Sequence, residues 1–199
     1  MKRKTTQMKW EDAVPRIHKC LISTVQLTQS HINELPLKAW IGANIYTAWY
    51  LDMPKFLLVV TESMLQQWNT EDRVSILDIE EAAAKNDADA FFICKLSELI
   101  GKPGPIDPPI YVISRKNGLM GAVGILNKAV QAKLQELFPD GYYILPCSIH
   151  HVIAVPSDML DIDYLAKMVR DFNLKDINNP DRLSNHVFAI RHGRLTVVA

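Results

Sequence analysis

The chain has 199 residues, 48% of them hydrophobic, and carries 22 basic against 22 acidic side chains. That length and apolar content suffice for one full hydrophobic core. The balanced charge excludes a global field that would gather nucleic acid or an anionic membrane, and no apolar run approaches the ~20 residues needed to cross a bilayer.

Residues 1–9, "MKRKTTQMK", are basic and polar with no hydrophobic stretch behind them, so a flexible tail is expected rather than a secretory signal. A single domain is expected over residues 10–199. Cys20, Cys94 and Cys147 are an odd set without a C-x-x-C pair, which fits free thiols in a reducing cytoplasm. Residues 10–27 place Trp10, Ala13, Val14, Ile17, Cys20, Leu21 and Val25 at three- and four-residue intervals, which predicts a helix with Pro15 in its first turn. Residues 37–52 and 55–61 are rich in aromatic and β-branched side chains around "LDMP", which predicts a hairpin. Thr61 and Thr70 each precede a glutamate, and both read as N-caps of helices.

"ADAFFICKLSELIG" reads as a strand running into a short helix. Residues 101–109, "GKPGPIDPP", then hold four prolines and two glycines, a break expected to separate two lobes. Beyond it, "IYVISR" and "MGAVGIL" flank Asn117-Gly118, a dipeptide suited to a tight hairpin turn. Gly121 and Gly124 inside the second run point to a bulge or to close approach of another backbone. Asn127 reads as the cap of a helix that ends before Pro139. "YYIL" and "HHVIAVP" read as strands. A helix at "DIDYLAKMVRDFN", capped by Asp158 or Asp161, is expected to bury Leu160, Tyr164, Leu165, Met168, Val169 and Phe172. "HVFAIR" and "LTVV" close the chain as a hairpin turning at His192-Gly193. The whole is predicted to be α+β: a mainly antiparallel sheet of hairpins with helices packed on one face.

The chemistry-bearing stretch is "YYILPCSIHHVIAVP". Cys147 with His150 has the makings of a thiolate nucleophile and its general base, although successive strand residues such as His150 and His151 point to opposite faces. Cys147, His150, His186 and His192 are nitrogen and sulfur donors suited to zinc, at a spacing that matches no zinc motif. Ser148 and His150 are candidate binding residues in the same stretch. Trp49, with Trp40, Tyr46 and Tyr50, is a candidate aromatic platform, and Arg191 and Arg194 are candidate phosphate contacts. "GKPGP" lacks the Ser or Thr and the lead-in of a phosphate loop.

Several runs together carry a resemblance: "VTESMLQQWNTEDRVSILDIEEAAAKN", "PIYVISRKNGLMGAVGIL", "YYILPCSIHHVIAVP" and "RLSNHVFAI". In order and content they resemble an uncharacterised bacterial family known only as a domain of unknown function and marked by an L-P-S-S-I-H-E-V-I run. Trp68, Ala84 (shifted near Asn86), Gly121, Ala122, Leu145, Pro146, Ser148, Ile149, His150, Val152, Ile153, Leu183, Ser184 and Val187 match its pattern. Cys147 stands where that family has serine and His151 where it has glutamate, and a region that precedes the shared core in longer relatives is expected to be absent. The resemblance implies no activity.

The function these features favour is non-catalytic: binding of a protein partner or self-association by a cytoplasmic protein, as an inhibitor or accessory protein of a bacterial or mobile-element system. No cofactor and no membrane contact are expected. The alternatives are a small Cys/His-dependent hydrolase or zinc enzyme built on Cys147 and His150, and a nucleic-acid-binding protein using Arg191 and Arg194.

Overall fold

The computed structural model of the chain describes residues 8–25, 27–37, 40–102, 104, 107–191 and 194–199. The fold is α+β, and every strand pairing among these residues is antiparallel. The strands form two sheets rather than one.

The first sheet is built on β3 (Ile45–Met53). One edge of β3 pairs with β1 (Ile17–Ser23), and its other edge pairs with β2 (Trp40–Gly42) and, further along, with β4 (Phe56–Val59). The helix predicted over residues 10–27 is therefore corrected. It is a single turn, α1 (Trp10–Ala13), then a 3-10 turn (Val14–Arg16) and the strand β1. Pro15 brings no N–H to continue the α-helical ladder. Downstream, Ile17, Cys20 and Leu21 are all buried because both faces of β1 are covered, and a strand buried on both faces loses the alternation that would reveal it. The short α2 (Gln29–Glu34) follows, capped by Thr28.

α3 (Glu62–Asp72) and α4 (Ile76–Asn86) cover one face of this sheet. They enclose Ile17, Trp49, Leu51, Val60, Trp68, Val74, Ile79 and Ala83. Thr61 caps α3 as expected, but Thr70 lies inside that helix and donates its hydroxyl to the Gln66 carbonyl at 2.8 Å. The second helix start is set instead by Ser75 and Asp78, each accepting the other's backbone N–H in a capping box.

The second sheet runs in the order β10-β9-β7-β8-β6-β5. Its strands are β5 (Phe91–Lys95), β6 (Tyr111–Arg115), β7 (Tyr142–Leu145), β8 (His151–Pro156), β9 (Phe188–Arg191) and β10 (Arg194–Val197). The short α5 (Leu96–Leu99) follows β5 directly, so the strand-then-helix reading of that stretch holds. The Pro/Gly-rich break lies between β5 and β6, which pair with each other. It is a connection within one sheet, and the sheets part instead along α3 and α4.

The predicted strand at "MGAVGIL" is a run of 3-10 turns, Gly121–Leu126. Gly121 crosses the end of β6 too closely for a paired strand: a Cβ there would fall on the Arg115 nitrogen and 2.6 Å from the His150 carbonyl oxygen. That is the close backbone approach which the glycine implied.

α6 (Lys128–Leu137), capped by Asn127, packs Val130 and Leu134 on one face of the second sheet against Ile144, Val152, Ala154 and Phe188. α7 (Ile162–Asp176), capped by Asp161, packs Leu165, Ala166 and Val169 on the other face against Leu145, Val155 and Val187. α3 and α4 thus cover one face of the first sheet, while the second sheet carries a long helix on each face. Leu21 and Ile45 of the first sheet share the core around Ile113, Ile144 and Val152 of the second.

Candidate functional site

The run "LPCSIHH" spans the last residue of β7, a bend at residues 146–150 and the first residue of β8, and it sends its side chains in different directions. Cys147 is 3% exposed and packs with Leu165, Ala166 and Val169 under α7. Burial pushes its thiol up to about 12. His150 turns away from that cluster. Its Nδ1 accepts the Met120 N–H at 3.2 Å, which leaves the proton on Nε2, 3.5 Å from the Asp181 carboxylate. The bend therefore keeps Cys147 and His150 in separate surroundings, and no thiol–imidazole pair is formed there.

Ser148 holds the bend together. Its Oγ accepts the N–H groups of His150 (3.1 Å) and His151 (3.2 Å) and meets the His151 Nδ1 at 3.2 Å. Burial, with a smaller contribution from the neighbouring His150, lowers the pKa of His151. The backbone of the bend stitches three segments to β8. Ile149 donates to the Asp181 carbonyl at 2.8 Å, Ser148 bridges to Arg182, and the His150 carbonyl accepts from Gly121 N–H and Ser114 Oγ. These bonds make the run a structural junction.

His186 stands apart, beside Ser184, Asn185 and Arg182 in a shallow cavity near Asn44. Among the described residues, no group of three or more His, Cys, Asp or Glu side chains gathers as a metal site would require. His192 lies outside the described residues. Trp49 is fully buried between the first sheet and α3, so it serves the core and presents no platform, and Tyr50 is buried on the opposite face of the same strand. Arg191 and Arg194 are partners across the β9–β10 pair, and their side chains, like that of Trp40, are outside the described set.

A buried polar cluster joins the two sheets, with no local sequence signal. Arg115, at the end of β6 and 3% exposed, donates Nη1 to Asp87 Oδ1 at 2.5 Å and Nη2 to the Lys19 carbonyl at 3.1 Å. The same Asp87 oxygen meets His18 Nδ1 at 2.7 Å, and its second oxygen accepts the Lys19 N–H at 3.1 Å. Asn86 adds a bond to the Ile17 carbonyl at 2.8 Å. β1 is an edge strand, and side chains from the end of α4 and from β6 pair its outer backbone groups. Burial acts to raise the Asp87 carboxyl, but the bonds from His18 and Arg115 outweigh it and hold the group below its ordinary value. Arg115 also lies 4.8 Å over the Phe91 ring and 5.8 Å over Tyr50, and His18 stacks on Tyr50 at 5.4 Å. Burial likewise pushes the neighbouring Cys20 thiol up to about 12.

Two surface features remain. An apolar groove of about 360 Å³ runs between α2 and the first sheet, lined by Ile22, Leu27, Leu35, Val59 and the Ile149 of the bend. The second feature corrects the expected packing of α7. Tyr164, Met168 and Phe172 are 55%, 44% and 40% exposed, while Leu165, Ala166, Val169 and Asn173 face inward. Asn173 explains the roll of the helix: its Nδ2 donates to the Ser184 carbonyl and to Asn185 Oδ1, both at 2.8 Å, which turns Phe172 outward. Three large apolar side chains on successive turns thus face solvent.

Fold and surface together define a small α+β protein in which Cys147, Ser148, His150 and His151 are taken up in the packing and hydrogen bonds of the bend, and in which α7 presents three large apolar side chains to solvent. A family model matches residues 2–191, and the chain belongs to that family, a family of unknown function (DUF5688). The resemblance carried by "LPCSIHHVI" is confirmed at this level. No curated protein and no solved structure matches the chain significantly.

Proposed function

We propose that this chain is a non-catalytic binding protein of a reducing cytoplasm that docks a protein partner on the outer face of α7. The observation that carries this reading is the exposed line of Tyr164, Met168 and Phe172 on a helix whose neighbouring face is fully engaged in the core. Aromatic residues and methionine are enriched at protein interfaces, and methionine adapts to an irregular partner surface. The buried Cys20 and Cys147 support the same reading, because burial pushes both thiols up to about 12 and a cysteine catalyst needs its thiolate.

The test is site-specific. A photo-crosslinking benzoylphenylalanine is placed at Met168 in host cells and, as a control, at the exposed Leu77 of α4. A discrete adduct is expected at the first position only, and it disappears when Tyr164→Lys and Phe172→Lys are added. Equal labelling at both positions, or none at Met168, rules out docking on α7.

A further inference from the structure

We infer that the partner on α7 is a second copy of this chain, bound as an antiparallel helix pair with Met168 on the two-fold axis; this rests on α7 being the docking face. The outer face of α7 is self-complementary. At 3.6 residues per turn, Asp161, Tyr164, Met168, Phe172 and Lys175 fall within an arc of about 80° and extend over ~21 Å of helix. The row is symmetric in kind about Met168: an aromatic four residues to either side, and a charged residue seven to either side, negative at one end and positive at the other.

In an isologous contact, a residue i that meets j of the other copy has its own j met by i. Turning one α7 end for end about Met168 therefore places Tyr164 on the second copy's Phe172 and Asp161 on its Lys175, each contact occurring twice. A parallel arrangement would set aspartate on aspartate and lysine on lysine. The charge order agrees with the helix dipole, since Asp161 caps the N-terminal end through the N–H groups of Asp163 and Tyr164 and Lys175 lies in the last turn. A single pair of 15-residue helices lies at or below the ~1,200 Å² low end of specific interfaces, so the dimer is reversible and concentration-dependent.

The purified chain is examined by sedimentation velocity over a wide concentration series, alone and as Met168→Lys and Lys175→Glu. A species of twice 22.6 kDa is expected to grow with concentration. Met168→Lys should remove it, and Lys175→Glu should weaken it roughly tenfold by turning two attractions into repulsions. Met168 and Lys175 are both exposed, so both variants should keep the wild-type far-UV spectrum. In a Cys94→Ser background, the thiol introduced by Met168→Cys should form a disulfide dimer under mild oxidation, whereas Leu174→Cys, on an exposed position off the row, should not. A wild-type chain that stays monomeric throughout, or a Met168→Lys chain that still dimerises, overturns the inference. If the chain stays monomeric while the crosslinker at Met168 captures a different protein, the second-copy assignment falls and docking on α7 stands; if neither occurs, both fall.

Discussion

Asp87 carries three bonds on a buried carboxylate, from His18, from Arg115 and from the Lys19 backbone. Its folded-state pKa lies below the ordinary carboxylate value of about 3.9. As pH falls through that value the unfolded chain takes up the proton first, so stability rises with pH across this window and is lost below it. Asp87→Asn removes the charge and strands a buried guanidinium. A loss of about 3–5 kcal/mol at neutral pH is expected, together with a flatter dependence of the urea midpoint on pH below about 4. Urea titrations at several acidic pH values check both, and an unchanged acid slope would mean that Asp87 titrates alike folded and unfolded. None of this cluster is legible along the chain, because Asp87 lies 69 residues from His18 and 28 from Arg115. The reverse holds for Cys147 and His150. They are neighbours in sequence, but the bend sends one under α7 and the other toward Met120.

Elements were readable where a local rule acts alone. Asn127 and Asp161 cap α6 and α7 because a short polar side chain before an amphipathic run satisfies the first N–H groups in any context. β1 and the 3-10 turns were not readable, because contacts distant in sequence decide them: burial of both faces in one case, backbone crowding at Gly121 in the other. Crowding makes a comparative prediction. Gly118 has a positive φ of 75° with open space around it, so Gly118→Ala should cost about 1–2 kcal/mol for the left-handed backbone. Gly121→Ala meets the backbones of β6 and His150, which cannot swing aside as a flexible side chain would. A larger loss, about 3 kcal/mol, is expected. Chemical denaturation of the two variants side by side gives the order, and a milder Gly121→Ala would show that the turn relaxes away from β6.

At the scale of the molecule, the Pro/Gly-rich segment misleads because such residues interrupt elements without separating cores. It lies between two strands that pair with each other, whereas the boundary between the sheets passes through helical α3 and α4. Across that boundary, Leu21 and Ile45 enter the same core as Ile113, Ile144 and Val152, and the Asp87–Arg115 pair ties β1 to β6 beside it. A core drawn from both sheets cannot be lost from one and kept by the other, so unfolding should be a single cooperative transition. The positions of the aromatic probes make this measurable. All four tryptophans, Trp10, Trp40, Trp49 and Trp68, precede α4, so tryptophan fluorescence reports the first sheet and its helices. Hydrogen exchange at the amides of β6 and β8 reports the second. The two signals should share one urea midpoint, and Ile113→Ala, which hollows the common core from the second sheet, should lower both by the equivalent of about 2–5 kcal/mol. If the tryptophan midpoint stayed put while the β6 and β8 amides opened earlier, the sheets would be separate folding units, and the shared core with its buried ion pair would contribute little to joining them.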